Sequence, residues 1–426
     1  MTTAVVEQNK QVVRDWIDRV FNGKCMSAIT QLKVSSYLDW TPLPGQSVDL
    51  PISGIKQTVP VFMRSMPDFR FFADDLFGED DMVVCIGHWQ GTHTGEAFLG
   101  IPPSGARVGG SRIDMFRVTG DKMVEHWGCG NELRFLGMVG LLERNGPGEA
   151  PTGRTPEAVA CEYVQRVIGQ RDLATVGNLV DVHGLDHGGG CIAMYCVLTG
   201  FPDYAVQIRE ARADGDKVTV VSDYTATHEG EFMGVAPTGR QVSGRRSDVF
   251  RISVDGRVVE SWQDWGTSRL FAQIGGNDPM PQTAGGGTTT LAGNKAVAHG
   301  FLEEVINHRN LGALDCYLHR SARGHLCGMV ATYAILSAFR DLRLSVELMI
   351  GDGDLISVLA NFTGSQREPV LGVTRPNQGV SSRVAFCFRI ADSKIAESWC
   401  EFEPWGLLPQ VGINPLMHAP SPSFAE

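Results

Sequence analysis

Residues 111–128 read SRIDMFRVTGDKMVEHWG, two alternating apolar and polar runs on either side of a turn signal. Residues 245–263 read RRSDVFRISVDGRVVESWQ and repeat the same Asp-x-Phe-Arg and Glu-x-Trp signatures. Alternation on both sides of a Gly- and Asp-containing turn predicts two antiparallel strands joined as a hairpin. Because this hairpin occurs twice, the chain contains at least two copies of one unit.

The copies extend upstream of the hairpin. A Thr-His-x-Gly segment places His93 in the first copy, and the same segment places His228 in the second copy, 135 residues later. The strand aspartate recurs after 134 residues, as Asp114 and then Asp248. The two copies therefore share polar residues as well as an apolar pattern.

A third copy keeps the apolar pattern without those polar residues. Residues 383–399 read RVAFCFRIADSKIAESW and align with the two hairpins above. The histidine position is occupied by Gln366 and the aspartate position by Phe386. This contrast indicates a polar function in the first two copies that the third does not have.

A period near 135 residues is the size of a whole domain and is too long for a solenoid unit. We therefore expect three tandem domains of one fold, each large enough to bury its own core. Gly- and Pro-rich stretches mark the joints. The expected domains, called below the first, second and third repeats, are residues 1–142, 156–275 and 294–414, with linkers at 143–155 and 276–293 and a tail at 415–426.

Within the first repeat the apolar spacing changes from helical to strand-like. Helices are predicted over 8–21 and 55–66, and strands over 69–77, 82–92, 107–118 and 122–134. Helices followed by antiparallel strands predict an α+β domain, in which the N-terminal helices cover one face of a curved antiparallel sheet. Such a sheet leaves a cavity at its open end that suits a small molecule.

Composition excludes several classes of function. The formal net charge of −11, with scattered Lys and Arg, argues against binding of nucleic acid. The first residues show no secretory pattern, and no stretch approaches the ~18 apolar residues of a membrane span, so we expect a cytoplasmic protein with no membrane partner. The ten cysteines form no Cys-x-x-Cys pair, and no phosphate-binding loop follows a strand, so neither a metal nor another cofactor is expected.

These motifs, taken in order, resemble those of a known protein family. Pro-Asp at residues 67–68 and 202–203, Thr-His-x-Gly, the loop at 98–105, Asp-x-Phe-Arg and Glu-x-Trp together resemble the SnoaL-like polyketide cyclases. These belong to the nuclear-transport-factor-two-like superfamily of cone-shaped α+β domains. The resemblance covers about residues 5–142, 156–275 and 294–413. It implies three tandem cone-shaped domains and a polyketide- or terpenoid-like ligand, although the superfamily includes cyclases, isomerases, epoxide hydrolases, dehydratases and non-enzymatic binders.

Asp114 and Asp248 are the first catalytic candidates. Alternation places Arg112, Asp114 and Phe116 on one face of a strand, and Arg246 lies two residues before Asp248 in the same way. A carboxylate on an apolar face is costly unless it is paired or used. The resemblance implies that this aspartate is a general base for a proton next to a carbonyl. The alternative is an Arg–Asp pair that stabilises the sheet and lowers the aspartate pKa.

His93 and His228 are the second pair of candidates. Each ends a strand just before a glycine-containing loop, where the ring could reach a cavity mouth and donate a hydrogen bond to an enolate. The alternative is a histidine that fixes the turn. The resemblance favours a site role, with Arg112 and Arg246 assisting in their own repeats.

The remaining site candidates are aromatic or polar residues of the first repeat. The resemblance places the segment from Tyr37 to Trp40 on the pocket wall, while Trp89 either stacks on a flat ligand or packs in the core. His126 reaches either the pocket or the surface. The predicted substrate-binding residues are Tyr37, Asp39, Trp40, Trp89, Phe116 and His126.

The favoured function is a cofactor-independent cyclase or isomerase working in the first repeat. The second repeat is shorter between residues 186 and 202, which predicts loss of much of its second helix and an incomplete pocket. Two alternatives stay open: an epoxide hydrolase or dehydratase on the same fold, and a non-catalytic binding or scaffold protein. Domains of this superfamily associate through their sheets, so we expect pairing of domains within the chain and possible homodimers.

Overall fold

The computed structural model describes residues 2–42, 48–98, 100–131, 153–172, 175–188, 190–276, 290–310, 313–325, 333–339, 341–370 and 375–413. The predicted tail and most of both predicted linkers lie outside these residues. The α+β class is confirmed, since in each repeat the helices come mainly before a run of consecutive antiparallel strands.

The first repeat begins with helices and continues as a sheet. Its helices are α1 (Thr3–Asp15), continued by a π-helical segment (Trp16–Asn22), then α2 (Ala28–Leu32) and α3 (Ile52–Ser65). Its strands are β1 (Lys33–Asp39), β2 (Asp49–Pro51), β3 (Arg70–Glu79), β4 (Met82–Thr92), β5 (Arg107–Thr119) and β6 (Lys122–Gly130). The predicted helices and four strands are present, whereas β1 and β2 were not predicted.

The strands of the first repeat form a six-stranded sheet in the order β2-β1-β6-β5-β4-β3. The sheet is not purely antiparallel as predicted, because β1 runs parallel to β6. Register shifts between Ala73 and Asp75 in β3 and between Arg117 and Val118 in β5 bend the sheet, since a bulge increases local twist and curvature. Val83 packs with the helices, whereas its neighbour Val84 lies in a separate cluster on the opposite face.

The second and third repeats have a similar order of elements, and in each of them a π-helical segment (Tyr163–Gly169 or Phe301–Asn307) continues the first helix. The second contains α4 (Pro156–Glu162), α5 (Val176–Leu179), β7 (Val180–Asp186), α6 (Gly190–Gly200), β8 (Ala205–Asp214), β9 (Lys217–Thr227), β10 (Gln241–Ile252), β11 (Val258–Gln263) and α7 (Thr267–Gln273). The third contains α8 (Leu291–Gly300), α9 (Leu314–Tyr317), β12 (Leu318–His325), β13 (Arg343–Asp352), β14 (Leu355–Ser365), β15 (Gly379–Ala391), β16 (Lys394–Phe402) and α10 (Pro404–Gln410).

These two repeats share one ten-stranded sheet, in the order β13-β14-β15-β16-β12-β7-β11-β10-β9-β8. The joint is an antiparallel pairing of β12 with β7, at Gly324 opposite Asp186. In the first repeat the neighbour of β1 is β2, whereas β7 and β12, the counterparts of β1, are each other's neighbours. The shortened segment of the second repeat keeps its helix α6, so the predicted loss of much of that helix was wrong.

The first and third repeats pack together through their sheets. An apolar cluster on the outer face of the first sheet, including Ile113 and Met115, contacts Leu359 and Cys387 of the third repeat. At its edge the buried Ser111 hydroxyl donates to Glu401 Oε1 at 2.5 Å. Pairing of domains through their sheets, which sequence analysis expected, therefore occurs here within one chain.

No helix among the described residues is long and apolar enough to span a membrane.

Candidate active site

A cavity of about 150 Å³ lies in the first repeat, between α3, the π-helical segment and the inner face of the sheet. Most of its wall is apolar, and its Trp, Phe and Tyr residues are Trp16, Phe21, Tyr37, Phe62, Phe69, Phe71, Trp89, Phe116 and Trp405. Phe69 and Trp89 stack with ring centroids 5.7 Å apart. An engineered apolar cavity of similar volume holds a benzene molecule, so this one accepts about one ring.

A buried carboxylate forms the polar end of the cavity. Asp114 lies in the middle of β5 and is 5% exposed. Arg112 Nη2 donates to Asp114 Oδ1 at 2.9 Å, and its Nε lies 3.2 Å from both carboxylate oxygens. His126 Nε2 lies 3.1 Å from Oδ1. Strand alternation places Arg112 and Asp114 on one face, and the pairing of Phe116 with His126 on β6 brings the imidazole beside them.

A second carboxylate holds the other side of the imidazole. Asp39 Oδ1 lies 3.1 Å from His126 Nδ1 and also accepts from the Thr41 backbone N–H at 3.1 Å. Asp39 pairs with His126 because β1 runs parallel to β6. The parallel strand, absent from the prediction, therefore positions this contact.

These contacts set the charges of the site. Burial favours the neutral form of Asp114, but the Arg112 guanidinium and the hydrogen bond from His126 outweigh it and lower the Asp114 pKa to about 2. Burial likewise opposes the charge on His126, yet Asp39 and Asp114 together raise the His126 pKa. Asp39 is buried too, and His126 lowers its pKa. The site thus places two carboxylates beside a guanidinium and beside an imidazole whose protonated form they favour.

Lys33 is a further titratable residue in this cavity. Its side chain is buried at the start of β1, with Nζ 3.3 Å from the ring centroid of Tyr37 and 4.3 Å from that of Trp16. Burial lowers the Lys33 pKa to about 7, although Asp39 and Asp114 act to raise it. The Tyr37 hydroxyl is also buried and has no hydrogen-bond partner among the described residues.

Gly128 creates the space for the polar cluster. It pairs with Asp114 across β5 and β6, and a Cβ at this position would lie 2.3 Å from Arg112 Nη2 and 2.7 Å from Asp114 Oδ1. Both distances are far below normal van der Waals contact. A side chain at residue 128 is therefore incompatible with the observed ion pair.

The cavity wall contains many of the predicted site residues. Those that line it are Tyr37, Asp39, Trp89, Arg112, Asp114, Phe116 and His126. His93 is not among the lining residues: it is fully buried in the turn after β4, where its Nδ1 accepts from the Ser104 backbone N–H at 3.4 Å. Its backbone N–H and C=O also bond across that turn, to Ala106 and Gly105. This position matches the turn-fixing alternative for His93.

Trp40 also lies away from the cavity. It stacks on Trp127 with centroids 6.3 Å apart and planes 8° apart, and the Arg383 guanidinium of the third repeat covers it at 5.8 Å. Arg383 also donates to the Trp40 carbonyl at 3.0 Å. Trp40 is therefore part of the contact between repeats.

The second repeat has the equivalent ion pair, but other side chains pack against it. Arg246 donates to Asp248 at 2.6 and 2.8 Å, and neither side chain has exposed surface. Trp265 covers the guanidinium at 4.4 Å, and Gln263 occupies the position of Gly128. Burial raises the Asp248 pKa in spite of the neighbouring Arg246. A ligand would have to displace these side chains to reach Asp248.

The rest of the second repeat also departs from the first. Ser261 replaces His126 and donates to Asp186, the counterpart of Asp39, at 2.5 Å. His228 lies in its turn as His93 does, with Nδ1 accepting from the Thr238 backbone N–H at 3.3 Å. It is fully buried there, and its ring contacts Thr238 and not Asp248.

The third repeat has an apolar face in place of the site. Val384 and Phe386 replace the arginine and aspartate, and both are buried in the core. It nevertheless contributes to the first cavity, because Pro404 and Trp405 of α10 complete its wall.

Sequence reasoning missed Lys33, Gly128 and the wall supplied by α10. Lys33 stands out once the register is known, because the register aligns it with Val180 and Leu318 in the other repeats, and a lysine at an otherwise apolar position is unusual. No comparable signal marked α10, whose contact depends on how the repeats pack. Among the described residues, no group of His, Cys, Asp and Glu side chains is arranged to hold a metal ion.

Comparisons with known proteins give a consistent family. The model of the SnoaL-like polyketide cyclases matches residues 11–136, 192–274 and 296–411, which confirms the resemblance and its three copies. A search of curated protein sequences gave no match.

The similar solved structures each match about one third of this chain, which is the length of one repeat. A candidate polyketide cyclase from Acidithiobacillus ferrooxidans is 23% identical, with a TM-score of 0.28, over 31% of this chain and 93% of its own. AclR, a candidate hydroxylase from Streptomyces galilaeus, is 29% identical, with a TM-score of 0.26, over 30% of this chain and 89% of its own. TsrD from Streptomyces laurentii is 21% identical, with a TM-score of 0.29, over 33% of this chain and 98% of its own.

Proposed function

Since this chain belongs to the SnoaL-like polyketide cyclase family, we propose that it is a cofactor-independent cyclase or isomerase of a polyketide-type small molecule. The reaction takes place in the cavity of the first repeat. In this proposal the three repeats are cone-shaped domains with the boundaries given above, and the second and third serve structure. The ligand is a small molecule and the working compartment is the cytoplasm.

One observation carries the proposal. An aspartate, paired with a guanidinium and an imidazole, lies at the end of an apolar, aromatic cavity in the first repeat. Ring closure of a polyketide needs removal of a proton between carbonyl groups and stabilisation of the enolate that forms. A carboxylate next to fixed cationic donors supplies both.

Asp114 is the proposed base, and Arg112 the proposed donor to the carbonyl oxygen. With its guanidinium bonds in place, the pKa of about 2 makes Asp114 a weak base. When a substrate carbonyl takes over the Arg112 donors, Asp114 loses the interactions that lower its pKa and becomes more basic. The same exchange places positive charge at the oxygen where the enolate forms.

The histidine of the proposed site is His126, which contacts the base, and not His93. Its two ring nitrogens contact Asp39 and Asp114, so the imidazole is fixed in orientation and holds the Asp114 carboxylate in place. Asp39 is a positioning residue in this scheme. His126 also stacks on Phe116 with centroids 4.9 Å apart, which holds the ring on the cavity wall.

The cavity supplies the remaining catalysis by positioning. A wall of aromatic rings restricts a flexible chain to folded conformations, which lowers the entropy cost of bringing two carbons together. A volume of about 150 Å³ encloses the ring that forms.

A second candidate reaction is hydration of an epoxide or loss of water. The low Asp114 pKa favours it, because a carboxylate that stays ionised can orient a water molecule beside Arg112. The two reactions differ in product mass, so one experiment separates them.

The test is a mass-resolved metabolite comparison in the source organism. A strain without the protein is complemented with wild type, with Asp114→Asn, or with Arg246→Met combined with Asp248→Leu. The double variant is the matched control, since an apolar pair replaces a buried ion pair at little cost in stability. We expect an accumulating compound of the same mass as the lost product, restored by the wild type and control but not by Asp114→Asn. A mass difference of one water supports the second reaction. Full restoration of the product by a folded Asp114→Asn variant excludes Asp114 as the base.

A further inference from the structure

Lys33 is placed unusually for a lysine. It is 4% exposed and lines the cavity, and among the described residues no carboxylate lies within salt-bridge distance of its Nζ. Its close contacts are the faces of the Tyr37 and Trp16 rings, at 3.3 and 4.3 Å. Buried lysines are rare unless paired, so packing alone does not account for this residue.

The other repeats show that the fold does not need an amine here. The equivalent residues are Val180, fully buried, and Leu318, partly buried. Tyr37 is replaced in those repeats as well, by Gly184 and Ala322, which precede the counterparts of Asp39 by the same two residues. Lys33 and Tyr37 therefore occur together in the repeat that has the open cavity.

We propose that Lys33 is a nucleophilic amine that condenses with a ketone carbonyl of the substrate. The substrate class, a chain of 1,3-dicarbonyl units, rests on the proposed function. The amine nitrogen forms a bond to the carbonyl carbon, the carbon–oxygen bond breaks, and the oxygen leaves as water with the two amine hydrogens. The resulting imine takes up one proton to become an iminium, which acidifies the neighbouring C–H bond more strongly than the ketone does.

The rest of the cavity supplies the other steps. Asp114 accepts the acidified proton, giving an enamine whose carbon attacks a second carbonyl, and Asp114 then returns that proton to the oxygen of the second carbonyl. Water hydrolyses the iminium, which restores the neutral amine and releases the proton that the imine took up. The Tyr37 hydroxyl has no hydrogen-bond partner among the described residues and can donate to the departing oxygen. Burial and the charges of Asp39 and Asp114 raise the Tyr37 pKa, so this hydroxyl keeps its proton. No oxidant, reductant or metal enters the balance.

The protonation state of Lys33 suits this role. Burial lowers its pKa to about 7 against the attraction of Asp39 and Asp114, so about half of the amine is neutral at pH 7. An exposed lysine, with a pKa of about 10.4, is neutral in only about one molecule in 2,500 at that pH. The neutral, nucleophilic fraction of Lys33 at pH 7 is therefore about 10³-fold larger than that of an exposed lysine.

The test uses pentane-2,4-dione, a 1,3-diketone small enough for the cavity, with the purified full-length protein at pH 7. A lysine condenses with it to a conjugated enaminone, which adds the mass of the diketone less one water and absorbs in the ultraviolet. Peptide mapping locates the adduct. Lys33→Met and Lys33→Arg are compared with Lys56→Arg, which changes an exposed lysine on α3.

We expect one adduct at Lys33, absent from both Lys33 variants and unchanged in Lys56→Arg, with a labelling rate that reaches half its maximum near pH 7. Lys33→Arg should also fail to restore the product in the metabolite comparison. Labelling spread over exposed lysines, or no labelling of folded wild-type protein, overturns the proposal. If Lys33→Arg restores the product while Asp114→Asn does not, the Lys33 proposal falls and the proposed function stands; an unchanged metabolite profile in the strain without the protein overturns the function itself.

Discussion

Gly128→Ala should disable the site while leaving the fold in place. The new Cβ would lie 2.3 Å from Arg112 Nη2, 2.7 Å from Asp114 Oδ1 and 3.0 Å from His126 Cε1. Ordinary contact begins at 3.4 Å, so Arg112 must move by about 1 Å. All three atoms belong to side-chain ends that can shift without breaking the sheet.

The displacement gives the expected magnitudes. A misplacement of about 1 Å in a catalytic group costs about 10²-fold in rate, which corresponds to about 2.7 kcal/mol in the barrier. Insertion of a methyl group into a packed site costs about 1–3 kcal/mol of stability. Activity should therefore fall about 100-fold in a protein that still unfolds cooperatively.

The assay combines urea unfolding with product formation in the complemented strain. Gly379→Ala is the matched control, because it also changes a strand glycine to alanine but has no atom within 4 Å of the new Cβ. We expect the control to match the wild type in both measurements. If Gly128→Ala keeps full activity, the observed arrangement of Arg112 and Asp114 is not the catalytic one.

Three further changes test the energetics of the chain. Wild-type stability should rise with pH between about 7 and 10, because burial lowers the Lys33 pKa to about 7 and the unfolded chain binds the extra proton. Lys33→Met should remove about 1.4 kcal/mol per pH unit of that slope in urea unfolding, and an unchanged slope would refute the buried amine. Ser111→Ala should cost about 1–3 kcal/mol in the same assay by removing a donor to Glu401, whereas no loss would contradict the buried contact between repeats. The double variant Arg246→Met, Asp248→Leu should have a free energy of unfolding within about 1 kcal/mol of the wild-type value, or a higher one. Asp248→Leu alone should lower the free energy of unfolding by about 3–5 kcal/mol, because it leaves the buried arginine unpaired. Equal losses in both variants would refute the buried ion pair.

The hairpin pattern made much of the fold predictable from sequence. Period-two alternation in β4, β5 and β6 and the turns between them are local features, so these strands were expected within a few residues of their ends. Strand β1 was missed because its pairing is long-range and parallel, and its register shifts between Lys33 and Leu38. That strand brings Asp39 and Lys33 to the cavity; the family resemblance indicated Asp39, whereas Lys33 was missed.

The site residues divide in the same way. Asp114 and Arg112 could be predicted because strand alternation fixes which residues share a face. His93 was assigned to the site from its place before a loop, but only the three-dimensional turn reveals that its ring bonds Ser104. Trp405 reaches the first cavity through packing of the third repeat, a contact between distant segments that no local pattern records.

The most direct test of the central claim is conversion of the compound that accumulates without this protein. Purified full-length wild type, Asp114→Asn and the Arg246→Met, Asp248→Leu double variant are each incubated with that compound and followed by mass spectrometry. The account predicts a product of unchanged mass, formed by the wild type and the double variant at similar rates and at least 100-fold more slowly by Asp114→Asn. Conversion by folded Asp114→Asn at the wild-type rate would show that the first cavity does not work through this carboxylate.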